Sequence, residues 1–423
     1  MNNPTGVAHQ LNKNIRLLGF GSGVRLFGAA MVYPFLSLYL KNVAGVGYAE
    51  IGALILLVSA VPLAISPFGG LVADRVGRRR VFLLSLGGEA ASVLLIAISM
   101  VRGSVPGVLL GGGLAGAAGS MAGPAASAYV ADLTEVAQRS MAYTWVRIGF
   151  NAGFTVGVAL GGVLIGFLGF ADTGLLATGI LTTSTLFLLA TLDPSPYDRA
   201  RSQRVDPEKA TGALARPGSL GQSVRVLARD RTFLVLCFAS LFSGLVYGNW
   251  GTTFPLFTNT VLLIPYAILG VALALNGVIV VLGQSPMTKL MVGRKHTSSA
   301  VLAVAMMGIS FLALGGISLF SGAAIVAVFA FVVLLTFGEN LGAIPSMTLP
   351  SNMAPATEIG SYNGVFGLFS GIGNSFAPLA GGIVLSSIAN PLAVWVILAI
   401  PCIPAIVLYE WAGRRIPSAA NTI

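Results

Sequence analysis

The sequence predicts an all-α membrane protein of twelve transmembrane helices arranged as two pseudo-symmetric six-helix bundles. Three observations carry that expectation. Of 423 residues, 55% are hydrophobic and only 9% charged, whereas soluble domains carry about a quarter charged residues; such a chain cannot cover a water-facing exterior. Twelve apolar stretches each reach the roughly 20 residues that fit the hydrocarbon of a bilayer. One long polar stretch divides them six and six, and landmarks recur across it at a nearly constant spacing. Inside lipid only helices and closed barrels satisfy the backbone, and these stretches are too long and too uniformly apolar for barrel strands.

In chain order the spans are expected at 17–40, 50–73, 81–101, 106–131, 140–168, 174–192, 232–260, 264–288, 297–319, 322–349, 359–387 and 390–412. The polar stretch 193–231, "DPSPYDRARSQRVDPEKATGALARPGSLGQSVRVLARDR", is rich in Pro, Ser and charge and reads as a linker. Part of it, around 219–229, has the pattern of a short amphipathic surface helix. The domains are then 1–192, the linker 193–231, and 232–423. Pro34 and Pro255 stand 221 residues apart, Pro67 and Pro286 219, Pro124 and Pro345 221, and the pairs Gly161-Gly162 and Gly381-Gly382 220. In a chain with 54 glycines and 21 prolines a single match means little. A steady offset across four helices marks a duplicated unit in the same orientation, the parallel-repeat plan of secondary transporters, with a site near the midplane between repeats.

The net charge of +10 follows topology. With the N-terminus cytoplasmic, 20 of the 24 Lys and Arg fall in cytoplasmic segments, leaving Lys41 and Arg102 outside and Arg25 and Arg147 within spans. The positive-inside rule then sets both termini on the cytoplasmic side of a cell membrane, and nucleic acid is not an expected partner. The first dozen residues lack the compact apolar region of a cleavable signal. Cys237 and Cys402 lie within spans, giving neither a disulfide framework nor a metal set. His9 and His296 are the only histidines, both expected outside the spans, so no metal site, cofactor or catalytic group is expected. "GGGLAG" at 111–116 has no preceding strand and no following Lys-Ser/Thr, so it is helix-packing glycine rather than a phosphate loop.

At 70–80, "GLVADRVGRRR" places five charges within seven positions. Its arginines anchor the second span where the chain re-enters water. Asp74 needs a different reason, because a carboxylate at a helix end is stabilised by another helix dipole or by a neighbouring guanidinium. In the fifth span Gly153, Gly157, Gly161 and Gly162 form a row of small residues, repeated in the eleventh as Gly373, Ala377-Pro378, Gly381 and Gly382. Such rows let helix backbones approach closely, either as plain packing or as smooth surfaces that move against the opposite half.

Gly70, Asp74, Arg75, Gly77, Arg78, Arg79 and Arg80 resemble the loop signature between helices 2 and 3 of the major facilitator superfamily. The fifth-span row resembles that superfamily's antiporter motif, with Val158 where its proline is expected. "RIGFNAG", with Arg147, Asn151 and Gly153, looks like the drug:proton antiporter branch. The resemblance extends over essentially the whole chain. It implies the major facilitator fold and a latch in which Asp74 ties the first half to helix 11. The second-half counterpart "KLMVGRKH" has no acid, so the latch is expected on one side only.

Charge at the centre of a span costs about 2.5–3.5 kcal/mol on insertion scales. Arg25, Glu89, Arg147 and Glu339 lie at a similar expected depth, and their repeat counterparts Val246, Ile309, Gly367 and Ala118 are uncharged. Two acids and two bases at one level suggest pairing or a proton-linked exchange of partners. The resemblance implies that helices 1, 4, 7 and 10 line the central cavity, placing Arg25 and Glu339 there. Glu339, beside Asn340 in "TFGENLG", is either a proton or substrate carrier or one member of a static ion pair. Glu89 reads as a structural partner of Arg25 or Arg147. Phe27, Tyr33, Asn249 and Trp250 are cavity candidates that suit an amphipathic organic substrate, each with packing as the plainer role. The fourth span lacks the arginine that many proton-coupled members carry.

The expected function is export of small amphipathic compounds in exchange for protons by alternating access, with one copy of the chain as the working unit. A proton-independent facilitator or importer of a metabolite is the alternative, and a non-transporting membrane sensor a more distant one.

Overall fold

A computed structural model describes residues 12–202, 230–355 and 358–423. Among them are twelve helices long and apolar enough to cross a membrane: α1 (Lys13–Asn42), α2 (Tyr48–Val76), α3 (Arg78–Val101), α4 (Val105–Leu133), α5 (Val136–Leu168), α6 (Phe170–Thr191), α7 (Arg231–Val261), α8 (Tyr266–Met291), α9 (His296–Ile317), α10 (Ala324–Met353), α11 (Ile359–Ser387) and α12 (Pro391–Gly413). Each end lies within four residues of its expected place. The surface helix expected near 219–229, with most of the linker, lies outside the described residues.

Three spans are broken, α12 at Ile400-Pro401 and two others whose breaks correspond. Helix α1 tightens to a 3₁₀ turn at Tyr33–Phe35, around Pro34. Helix α7 passes through a 3₁₀ turn at Gly248–Trp250 and a π-helical stretch at Phe257–Val261, on either side of Pro255. A proline removes one backbone donor and its ring crowds the carbonyl four residues back, so a helix must re-satisfy those groups locally. Asn249, within the 3₁₀ turn of α7, donates from Nδ2 to the Leu245 carbonyl at 2.9 Å and accepts from Thr253 Oγ1 at 2.7 Å.

The chain forms two compact units: the described parts of Met1–Leu36 and Leu57–Arg216, and those of Ser37–Leu56 and Pro217–Ile423. In the first, α3 packs on α4 and α6 while α1 packs on α5. Its core at the α2–α3 end gathers Ile15, Leu18, Phe82, Leu86, Tyr129 and Leu188. In the second, α9 packs on α10 and α7 on α11. There a buried aromatic cluster joins Phe254 and Phe331, with ring centroids 4.4 Å apart, to Phe311 and Trp395, 4.9 Å apart.

The polar stretch after α6 does not begin as a linker. Residues Pro196–Ser202 form a short helix, with Ser195 and Tyr197 buried. Prolines and charge gave this segment a loop's composition, but its polar groups are matched by partners on α2, α3 and α4.

Candidate functional site

In the first unit, Arg25 of α1 donates from Nη1 to Glu89 Oε2 of α3 at 2.8 Å. The Glu89 side chain is only 3% exposed and that of Arg25 12%, so the two charges answer each other away from solvent. Gly119 of α4 lies beside the pair, where a Cβ would make an ordinary contact 3.5 Å from Arg25 Nη1. Tyr33 lies within electrostatic reach of both charges, and its buried hydroxyl has no hydrogen-bond partner. Arg25 also borders a cavity of about 130 Å³ lined with Ser22, Phe82, Ser127, Tyr143 and Phe150 among others. Arg147 is exposed and Asn151 half-buried. The level of four charges expected from the sequence therefore resolves, in this unit, into one tight pair and one exposed guanidinium. Phe27 is half-buried on α1.

In the second unit, Glu339 of α10 accepts from Asn276 Nδ2 of α8 at 2.8 Å and lies within electrostatic reach of Tyr247 of α7. The same Asn276 amide reaches Thr336 Oγ1 at 3.0 Å. The carboxylate is thus bonded to one neutral donor on α8, with the Tyr247 phenol of α7 nearby. Asn276 and Tyr247 were not singled out by the sequence. The signals were a lone amide in "ALALNGVIV" and a phenol next to the break at Gly248. Two cavity candidates are occupied otherwise. Asn249 is 1% exposed and serves the α7 backbone; Asn340 is 2% exposed and donates to the Ile279 carbonyl at 3.2 Å. Amides beside glycines look available in sequence, but a broken helix and a close helix crossing consume both. Trp250 is half-buried and stacks on Phe254 with centroids 5.2 Å apart.

The small-residue rows act within each unit. A Cβ at Gly153, Gly157 or Gly161 would overlap the backbone of α1 at Gly23, Phe27 or Met31. Gly162 is buried beside them. In the second unit a Cβ at Gly373 would overlap the Leu241 carbonyl, at Gly381 the Thr253 hydroxyl, and at Gly382 the Tyr48 carbonyl, with Pro378 buried on the same helix. The face that carries these glycines is therefore a packing face.

The α2–α3 loop is more than a set of water-facing arginines. Arg78 is 4% exposed and bonds to Asp132 of α4, to Asp74 Oδ1 at 3.3 Å and to the Ala128 carbonyl at 3.2 Å. Its guanidinium lies 4.1 Å over the Tyr197 ring, and the Tyr197 hydroxyl donates to the Asp74 carbonyl at 2.9 Å. Arg79 donates to the Leu192 and Leu189 carbonyls at 2.6 and 2.8 Å, at the C-terminal end of α6, where a cation is favoured. Arg75 is exposed, and Gly70 has nothing near its missing side chain. Asp132, which the sequence reading passed over, could have been noticed as a carboxylate closing a long apolar run. Among the described residues no cluster of His, Cys, Asp and Glu forms a metal site.

A family model described as "Major Facilitator Superfamily" matches residues 18–378. The chain is 25% identical over 413 residues to the uncharacterized MFS-type transporter YttB of Bacillus subtilis, covering 96% of this chain and 97% of that one. It is 27% identical over 154 residues to the quinolone resistance protein NorA of Staphylococcus aureus, covering 36% of this chain and 39% of NorA. Among solved structures it superposes on a D-xylose-proton symporter with a TM-score of 0.73 at 14% identity, covering 97% and 99% of the two chains. On the nucleoside transporter NupG the TM-score is 0.75 at 13% identity, covering 94% and 100%. The twelve spans, the loop signature and a family match running through most of the chain lead to one assignment: this protein belongs to the Major Facilitator Superfamily of membrane transporters.

Proposed function

We propose that the protein exports small amphipathic organic compounds in exchange for protons by alternating access, with Glu339 as the group that takes up and releases the proton. The observation that carries this reading is the wiring of Glu339. A carboxylate inside a span is retained only where it serves a pathway or a pairing, and this one is held by a donor from α8 within electrostatic reach of Tyr247 on α7. Losing or gaining a proton changes what Asn276 can donate to and the charge that Tyr247 faces, so the proton state is transmitted to three helices. Arg25 and Glu89 keep a second ionisable pair in the first unit, and Arg147 an exposed cation. Phe27, Tyr33 and Trp250 supply apolar and aromatic surface for an amphipathic substrate. The latch that the loop signature implies, with Asp74 as its acid, biases one facing state. The basic segments support cytoplasmic termini, and a single chain is the working unit. The partial similarity to the quinolone resistance protein supports the substrate class.

The test is reconstitution in liposomes with an internal pH dye, an imposed proton gradient, and a panel of lipophilic cations and neutral amphiphiles. Substrate-triggered proton movement is expected. Substrate flux without proton movement would overturn the exchange and leave a facilitator, the reading favoured by the lack of charge in residues 107–130 of α4 and by the neutralisation of Arg25 by Glu89.

A further inference from the structure

Neither α3 nor α9 is capped by the residue before it: Gly77 and Lys295 make no side-chain cap. Yet the first amides of a helix have no partner within it and need an acceptor. In both units the acceptor comes from the chain that has just left the sixth span of that repeat. After α6, Asp198 accepts from Arg78 N at 2.8 Å through Oδ1 and from Arg79 N at 3.2 Å through Oδ2. After α12, Asn421 Oδ1 accepts from Thr297 N at 3.0 Å, while its Nδ2 donates to Thr297 Oγ1 at 3.1 Å. Both loops carry a glycine at positive φ, Gly77 at 111° and Gly293 at 78°. At Gly77 a Cβ would also stand 2.9 Å from Asp198 Oδ1, so that glycine is needed for its conformation and for the cap.

The two acceptors occupy matching places in the sequence. "PSPYD" at 194–198 and "PSAAN" at 417–421 align with Pro, Ser and Asp/Asn each 223 residues apart, close to the offset of the spans. Ser195 and Asp198 form a reciprocal capping box on their own short helix, Asp198 N to Ser195 Oγ at 3.1 Å and Ser195 N to Asp198 Oδ2 at 3.3 Å. The second copy gains its hold by a backbone bridge: Gly293 N donates to the Ile423 carbonyl at 3.0 Å and Ile423 N to the Arg294 carbonyl at 2.9 Å. Ile423 packs against the buried cluster of Met291, Ala303 and Leu341.

We infer that the duplicated unit ends in a strap, Pro-Ser-x-x-Asp/Asn, and that Asp198 and Asn421 are equivalent positioning residues that cap the third helix of each repeat from outside. The copies have diverged in charge. Asp198 lies in a network with Asp74, Arg78 and Asp132, so the first strap sets the signature loop. The second holds its loop with neutral groups.

Hydrogen exchange on the full chain in lipid nanodiscs tests this without any substrate, so its outcome is independent of the transport reading. Asp198→Ala is expected to speed exchange of the amides at 78–79 about tenfold, the size of a lost N-cap, with 296–298 unchanged. Asn421→Ala is expected to do the reverse. Asp198→Asn, which keeps one acceptor, restores most of the protection at 78–79. Unchanged exchange at 78–79 in Asp198→Ala, or an equal rise in all helices from either variant, overturns the inference. If Asp198→Ala does not fold, the Asn421→Ala arm decides by the same criterion at 296–298.

Discussion

A guanidinium has five donors and stays protonated inside a protein, so Arg25 within a span must be answered by an acceptor. Glu89 answers it at 2.8 Å. Removing one partner of a buried pair strands the other charge, at a cost of about 3–5 kcal/mol. Glu89→Ala should therefore lower the apparent unfolding temperature in detergent sharply, while Arg25→Met/Glu89→Met together should recover most of the loss. If the double variant unfolds as early as the single one, the pair is not what holds these helices. Arg25, Glu89 and Glu339 were legible in the sequence because a charge stands out in an apolar run. Their neutral partners were not. Asn276 and Tyr247 are residue types common in spans, and only the fold brings them to Glu339. Asn276→Leu removes one hydrogen bond to a charged group, worth about 1.5–3 kcal/mol. Proton-driven transport should fall about tenfold or more in initial-rate assays, with protein yield retained.

At the scale of the elements, the contact of α1 with α5 depends on glycine. Gly153→Leu forces a side chain into the Gly23 carbonyl and should abolish folded protein in size-exclusion chromatography. Gly166→Leu on the same helix, with nothing within 4 Å, should be silent. Equal behaviour of the two would remove the close approach as the reason for the row. The ends of the spans were readable because the length of an apolar run is set by the bilayer. The breaks at Pro34 and Pro255 were legible as prolines, but their 3₁₀ and π geometry depends on local carbonyl partners. The stretch after α6 was misread because composition reports solvent affinity on average. Ser195, Tyr197 and Asp198 are polar and yet packed, their partners Asp74, Arg78 and Asp132 lying far away in sequence.

At the scale of the whole molecule, duplication explains both the fold and its asymmetry. Two copies of one six-helix plan share prolines, glycine rows and straps, while the membrane charges are private to one copy or the other: Arg25, Glu89 and Arg147 in the first, Glu339 in the second. A fold that does not need these charges for its architecture has kept them for another reason, and proton coupling is the reason advanced here. The most direct test separates movement of substrate from its coupling to protons. In proteoliposomes, wild type and Glu339→Gln are compared in two modes: substrate–substrate exchange without a gradient, and accumulation driven by an imposed pH difference. Glu339→Gln should retain exchange and lose proton-driven accumulation. Accumulation at the wild-type level in Glu339→Gln would contradict the assignment of the proton to Glu339.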